Sequence, residues 1–191
     1  MRKRCTFLVL ILILILTGCQ EEVNHYGIEA KTPSFDTLQE MEDYCSIIVR
    51  VTRMDQETPI IKESRGEMVS GYTFSEVRIE EIFKDSSNTL EVGNTIRILE
   101  NEIFYESENS IYHVAGYNMM EEGKEYLLFL TNHIYTDNNP YYVAAGINYG
   151  TVSLEDDNRS TVYLTREGSN INDFSAMQPI WEEALEKYAN K

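Results

Sequence analysis

Ser70-Gly71-Tyr72-Thr73-Phe74-Ser75-Glu76-Val77-Arg78-Ile79-Glu80-Glu81-Ile82-Phe83-Lys84 is the stretch that decides the fold. Its apolar residues recur at every second position over most of its length, the period of a β-strand. Val77, Ile79 and Phe83 fall on one side of it, and Tyr72, Phe74 and Ile82 on the other. Apolar residues on both sides need cover on both, so this long strand is predicted to bend and serve two layers. Glu80-Glu81 interrupts the alternation, where a bulge would supply the bend.

The same reading extends outward. Ile47, Val49 and Val51 alternate with Ile48, Arg50 and Thr52, a run rich in β-branched residues. Residues 55–69 are charged, contain Pro59 and Gly66, and read as a long connection or a mobile hairpin. Ser86-Ser87-Asn88 makes a turn, and Val92-Gly93-Asn94 leads into a strand over 95–99. Residues 103–105 and 111–114 read as strand fragments around a polar loop, 106–110. Residues 121–124 form a turn that launches Tyr126-Leu127-Leu128-Phe129-Leu130, the continuous apolar run of the most buried strand. Strands are also predicted over 141–145, 149–154 and 161–165, with Gly146 and Gly150 allowing bends or close packing.

A helix is predicted at each end of this β-rich region. Asp36 is placed as an N-cap with Gln39 three residues on, and Leu38, Met41 and Cys45 share one face, which gives a helix over 36–44. Pro179 suits a first helical turn. Ile180, Trp181, Ala184, Leu185 and Tyr188 then make an apolar stripe, predicted to cap the open end of a sheet or barrel with Trp181 in the core. The fold class is mainly β with two flanking helices, arranged as a small OB-like β-barrel.

The short helix running into Ile47-Ile48-Val49, the strand over 75–84, Val92-Gly93-Asn94-Thr95-Ile96 and the stretch from Glu122 to Leu130 carry a resemblance. Together they resemble the OB-like β-barrel domains of secreted and lipid-anchored proteins of Gram-positive bacteria, most of unassigned function. The resemblance covers residues 36–154. It implies the fold and brings no chemistry with it.

The first residues give an address. Arg2, Lys3 and Arg4 precede ten unbroken apolar residues, Phe7 to Leu16, and then Leu16-Thr17-Gly18-Cys19. A basic start, a short apolar core and small residues at the cut are the layout of a secretory signal peptide. Ten apolar residues fall short of the roughly 20 that cross a bilayer as a helix. The tetrapeptide resembles the lipobox of bacterial lipoproteins. That resemblance implies removal of residues 1–18 and diacylation of Cys19, and two acyl chains anchor a protein stably. The expected location is the extracytoplasmic face of the cell membrane. Residues 19–33 then read as a lipidated cysteine and flexible tether, and 34–191 as a single domain.

Composition narrows the partners. The chain has 16 Lys+Arg and 32 Asp+Glu, a net charge of −16. Three of the cations and none of the acids lie in residues 1–18, so the remainder stands at −19. Nucleic acid, bound through Lys and Arg at phosphates, is disfavoured as a partner, as is flat docking on anionic lipid. Of the three cysteines, Cys5 leaves with the leader and Cys19 takes the lipid, so Cys45 is read as a small buried hydrophobe with no disulfide partner.

No catalytic or cofactor motif stands out. Gly-x-Ser-x-Gly is absent, and no pair among His25, His113, His133 and the cysteines has zinc-site spacing, so no cofactor is expected and the histidines read as structural. Glu155, Asp156 and Asp157 are the best oxygen ligands for Ca²⁺, though their spacing is not that of an EF-hand and a solvated acidic turn competes. Glu100-Asn101-Glu102 is open to the same reading as a solvated turn. Thirteen tyrosines are the other anomaly. Tyr141, Tyr142 and Tyr149 fall in the densest part and are taken as a ligand or partner surface, against the alternative that strands are simply rich in tyrosine. The function that follows is a non-enzymatic, lipid-anchored binding or scaffold module that meets an envelope protein or peptide. A sensor of calcium or wall glycan is the alternative.

Overall fold

The computed structural model describes residues 22–131, 134–136, 139–155, 163–165, 168–169 and 174–189. In chain order the elements are β1 (Asn24–Ile28), α1 (Leu38–Tyr44), β2 (Ile47–Gln56), β3 (Ile60–Ser64), β4 (Glu67–Asp85), β5 (Thr95–Glu100), β6 (Glu102–Tyr105), β7 (Ser110–Val114), β8 (Glu125–Leu130), β9 (Ile134–Thr136), β10 (Asn139–Val143), β11 (Thr151–Ser153) and α2 (Gln178–Tyr188). The large sheet has the order β11-β8-β2-β4-β5-β10-β9, with β3 paired to β4. Its pairs are antiparallel except β5 with β10, where Ile98 faces Tyr142 and Leu99 faces Val143 in parallel. The far edges of β8 and β10 approach each other through the Leu130–Ala144 bridge and a 3.0 Å bond from Thr131 N to Val143 O. Strands β8, β2, β4, β5 and β10 therefore curl into a small OB-like barrel.

The bend in β4 lies where the paired acids put it. Against β2, the register skips Glu80 between Arg50 and Val51, and skips Phe83 between Ile48 and Val49. Two adjacent acids cannot both face water on a regular strand, whose side chains alternate; the extra residue of a bulge lets them. Glu80 accepts from the Thr52 hydroxyl and pairs with Arg78 at 2.8 Å, while Glu81 pairs with Arg50 at 3.2 Å. The bulge also corrects the alternation. Ile82, placed by sequence opposite Val77 and Ile79, joins them inside the barrel, and Phe83 packs outside.

The barrel interior holds Val49, Val51, Val77, Ile79, Ile98, Tyr126, Leu128, Leu130 and Tyr142. The opposite faces of β2 and β8 supply Ile48, Leu127 and Phe129 to a second cluster, covered by Leu38 and Met41 of α1 and by Ile180, Ala184 and Tyr188 of α2. This double cover explains the unbroken apolar run of β8, all of whose residues from Tyr126 to Leu130 are at most 1% exposed. Helix α2 thus packs against the outside of the barrel wall beside α1, and does not cap its open end. Thr37 is the N-cap of α1, one residue after the Asp36 read from sequence. Its hydroxyl accepts from Glu40 N at 3.2 Å, and Glu40 reaches back to Asp36 N at 2.9 Å. Glu42, almost buried on α1, accepts from Lys187 Nζ at 2.7 Å and from the Tyr188 hydroxyl at 2.7 Å, which locks the helices together.

One expectation is overturned and one of two alternatives is selected. Residues 24–28, read as flexible tether, form β1, which pairs in parallel with β7 in a separate three-stranded sheet, β1-β7-β6. Its partner lies some 86 residues downstream (Asn24 against Ser110), and Tyr26 and Ile28 alone offer too little pattern to announce it. The domain therefore begins ahead of residue 34. Residues 60–64 and the start of β4, read as a long connection or a mobile hairpin, form a hairpin closed at Arg65 and Gly66. Both have positive φ, 57° and 82°, as the tightest hairpin turns require. Residues 161–162 lie outside the described residues; the Leu164 carbonyl accepts from Gly27 N at 2.8 Å.

Gly150 shows how tightly the barrel edge is closed. A Cβ there would sit 2.5 Å from Ala145 N and 2.6 Å from Phe129 O, both backbone atoms that cannot swing away. Gly150→Ala should cost about 1–3 kcal/mol through this clash. Urea unfolding monitored through Trp181 measures the loss, and an unchanged midpoint would contradict the packing described.

Candidate functional site

Two groups of side chains stand apart from ordinary packing, one on the outer face of the barrel and one beneath it. On β4, the face opposite Val77 and Ile79 carries Tyr72 and Phe74. The Tyr72 and Phe74 ring centroids are 5.2 Å apart, and those of Phe74 and Tyr141 on β10 are 4.9 Å apart. Arg97 on β5 lays its guanidinium 3.6 Å over the Phe74 ring. Glu57 grips the other side of that guanidinium through two oxygens, and Glu76 faces Arg97 across the β4–β5 ladder. Ile60 of β3 stands opposite Tyr72 and is 44% exposed. Phe74 itself is 2% exposed, with Arg97 over its ring, so strands β4, β5 and β10 present Tyr72 and Tyr141 around one clamped cation, with an acidic margin. In OB folds this outer sheet face and its adjoining loops are a common binding surface.

The second group is a buried polar network where the barrel meets the small sheet. Glu100, at the end of β5, is fully buried. One oxygen accepts from the Tyr117 hydroxyl; the other meets no donor at hydrogen-bonding geometry among the described residues, although the Ser75 hydroxyl lies close enough to help hold the charge. Burial pushes this carboxyl up to about 7, against the smaller opposing effects of Tyr117, Ser75 and Arg53. Arg53 reaches Ser75 Oγ at 3.4 Å and Gln56 Oε1 at 3.1 Å. On the far side, the Tyr117 carbonyl and Glu102 Oε2 both approach His113 Nδ1, at 2.9 and 3.2 Å. His113 Nε2 lies 2.9 Å from His25 Nδ1 on β1, and the Tyr163 ring stacks on His113 at 3.5 Å. Carboxylates, imidazoles and phenols in hydrogen-bonded series can store and move protons. Among the described residues, no three His, Cys, Asp or Glu side chains are grouped to hold a metal ion.

The residues singled out from sequence separate. Tyr141 is half-buried in the aromatic row. Tyr142, its neighbour on the strand, points into the barrel and is 8% exposed; Tyr149 is 5% exposed, against Phe35 in the helix-covered cluster. Neither can form a partner surface with Tyr141, because alternation turns Tyr142 inward and α1 covers Tyr149. Glu155 is exposed. Asp156, Asp157, His133 and Cys19 lie outside the described residues. Cys45 is buried and free, and burial raises its thiol to about 12, consistent with an inert core residue. The reading of 100–102 as a solvated turn fails at Glu100. Its signal was in the sequence, since Ile96, Ile98 and Glu100 share one face of β5, and that face points inward. The His25–His113 contact had no such signal, because it joins residues 88 apart.

No protein-family model and no curated protein matches the chain.

The high value for Glu100 has a consequence for stability. The folded state holds its proton up to about pH 7, whereas an unfolded glutamate releases it near 4.5. Folding therefore takes up a proton between these values, and the contribution of Glu100 to stability falls as pH rises from about 4.5 to above 7. Glu100→Gln should remove this slope and make the chain more stable than wild type by a few kcal/mol at about pH 8. Urea titrations across that range test it; parallel slopes for the two proteins would contradict the buried, unpartnered oxygen.

Proposed function

We propose that the protein is a lipid-anchored, extracytoplasmic binding module that docks a protein or peptide partner on the outer face of β4, β5 and β10. The observation that carries this reading is the pair Tyr72 and Tyr141, both packed on the buried Phe74 ring, with Arg97 stacked over that ring. Tyrosine and arginine are the residues that most often dominate binding energy at protein interfaces, since they offer area and hydrogen bonds at low entropic cost. Exposed Ile60 extends the apolar part of this surface, and Glu57 and Glu76 border it. The acidic balance of the chain favours a partner that is neutral or basic over nucleic acid. Anchorage rests on Leu16-Thr17-Gly18-Cys19 and the apolar run before it.

Affinity capture from envelope extracts with the full-length lipidated protein tests the reading. Tyr72→Ala combined with Tyr141→Ala should reduce capture of the partner at least tenfold, as loss of one or two dominant contacts does. Equal capture by the two proteins would remove this face from the account. Mass spectrometry of the same membrane-derived protein should find Cys19 acylated at the N-terminus; an intact, unmodified Met1 peptide would refute the anchor.

A further inference from the structure

The contact between β1 and the small sheet has a proton-counting property of its own. His113 Nδ1 faces two acceptors, the Tyr117 carbonyl and Glu102 Oε2, so it carries a proton. In the neutral ring Nε2 is then the lone pair, and His25 Nδ1, 2.9 Å away, must be the donor. The ring planes differ by 15°, and the centroids are 5.2 Å apart while the nitrogens are 2.9 Å apart. The rings therefore meet end to end, with the N–H of one aimed at the lone pair of the other.

This arrangement accepts one additional proton and no more. A proton on the outward Nε2 of exposed His25 leaves the shared bond intact, and the Glu102 carboxylate favours that charge. The next proton has only His113 Nε2 to go to. Two N–H groups would then point at each other across 2.9 Å, between two cations with one facing carboxylate. The other groups around the pair do not relieve this. Tyr163 stacks flat on His113, Tyr117 offers a carbonyl already engaged at Nδ1, and Glu100 is spaced from the pair by Tyr117. Once β1 is undocked, the His25 N–H no longer faces His113 Nε2, and both rings can be charged. The undocked form binds one proton more, so acid favours it, by up to tenfold per pH unit. Partial burial and then His113 hold His25 below its ordinary 6.5, with Glu102 acting the other way.

Beyond its pairing with β7, β1 is held by the bonds Asn24 N to Asn109 O, Gly27 N to Leu164 O and Ala115 N to Ile28 O, and by Tyr26 and Ile28, which pack on the small cluster of Ile103, Tyr105 and Tyr112. That cluster is separate from the barrel interior and from the cluster beneath the helices, so β1 can leave while both remain closed. We propose that β1 is an acid-released strap, docked while His25 and His113 share at most one extra proton and undocked when both are charged. With Cys19 as the lipid anchor, a point that rests on the reading above, the strap sets reach. Extended chain from Cys19 to docked Asn24 spans at most about 18 Å, and from Cys19 to Phe35 about 55 Å.

Hydrogen exchange on the full-length chain tests the strap without any lipid. Protection of the β1 amides, corrected for intrinsic exchange and referred to the β8 amides, should fall at least tenfold between about pH 7.5 and about pH 5. His25→Gln, whose side-chain amide can donate to His113 and cannot charge, should keep its protection. Protonation of Glu100 over the same range stabilises the fold, so it cannot produce the loss. Unchanged β1 protection in the wild-type chain, or an equal fall in His25→Gln, would overturn the strap. An unacylated Cys19 would remove the consequence for reach and leave the exchange result to stand on its own.

Discussion

The skipped register at Glu80 is the constraint on which the layers depend. Before it, β4 turns Val77 and Ile79 into the barrel; after it, Ile82 would have faced outward on a regular strand. The extra residue restores Ile82 to the interior, and alternation then sends the Phe83 ring out to Tyr188 of α2 at 4.8 Å. One strand thereby serves the barrel core along most of its length and the helix-covered core at its end. Strand β5, paired to β4 ahead of the skip, meets β10 in parallel and continues the curl of the sheet.

Both polar features follow from that curl. The wall that faces away from the barrel core is covered by helices at β2 and β8 and uncovered at β4, β5 and β10. The aromatic row occupies the uncovered part, where Arg97 and Glu57 shield Phe74 in place of a helix. At the end of β5 the barrel interior is no longer filled by aliphatic side chains, and Ser75, Glu100 and Arg53 take their place. Glu102 then starts β6 and carries the chain into the small sheet, so Glu100 and Glu102 tie the barrel to the strap through Tyr117 and His113. A buried carboxyl without a full set of donors weakens a fold, and the aliphatic double cover of β8 compensates for it next door.

What could be read in advance was whatever repeats along the chain. The period of β2, β4, β5 and β8, the helical stripe from Ile180 to Tyr188 and the bulge at the paired acids are local patterns, and each is present. Helix α1 was legible except for its cap, because Asp36 ranks above Thr37 as a capping residue and the chain nonetheless places Thr37 in the cap conformation. Tyr142 and Glu100 could have been placed by continuing the alternation through their strands. Pairings between distant segments left no trace in the sequence: β1 on β7, His25 on His113, and β10 beside β5. Tyr149 looked like surface because the cover that buries it comes from α1 and Phe35, more than a hundred residues earlier.

The parallel contact between β5 and β10 is the pairing that the OB-like order of the barrel requires. Nuclear Overhauser contacts in an isotopically labelled sample report it directly. The account predicts backbone contacts of Ile98 with Tyr142 and of Leu99 with Val143, in parallel register. A β10 that pairs with another strand, or runs antiparallel to β5, would contradict it.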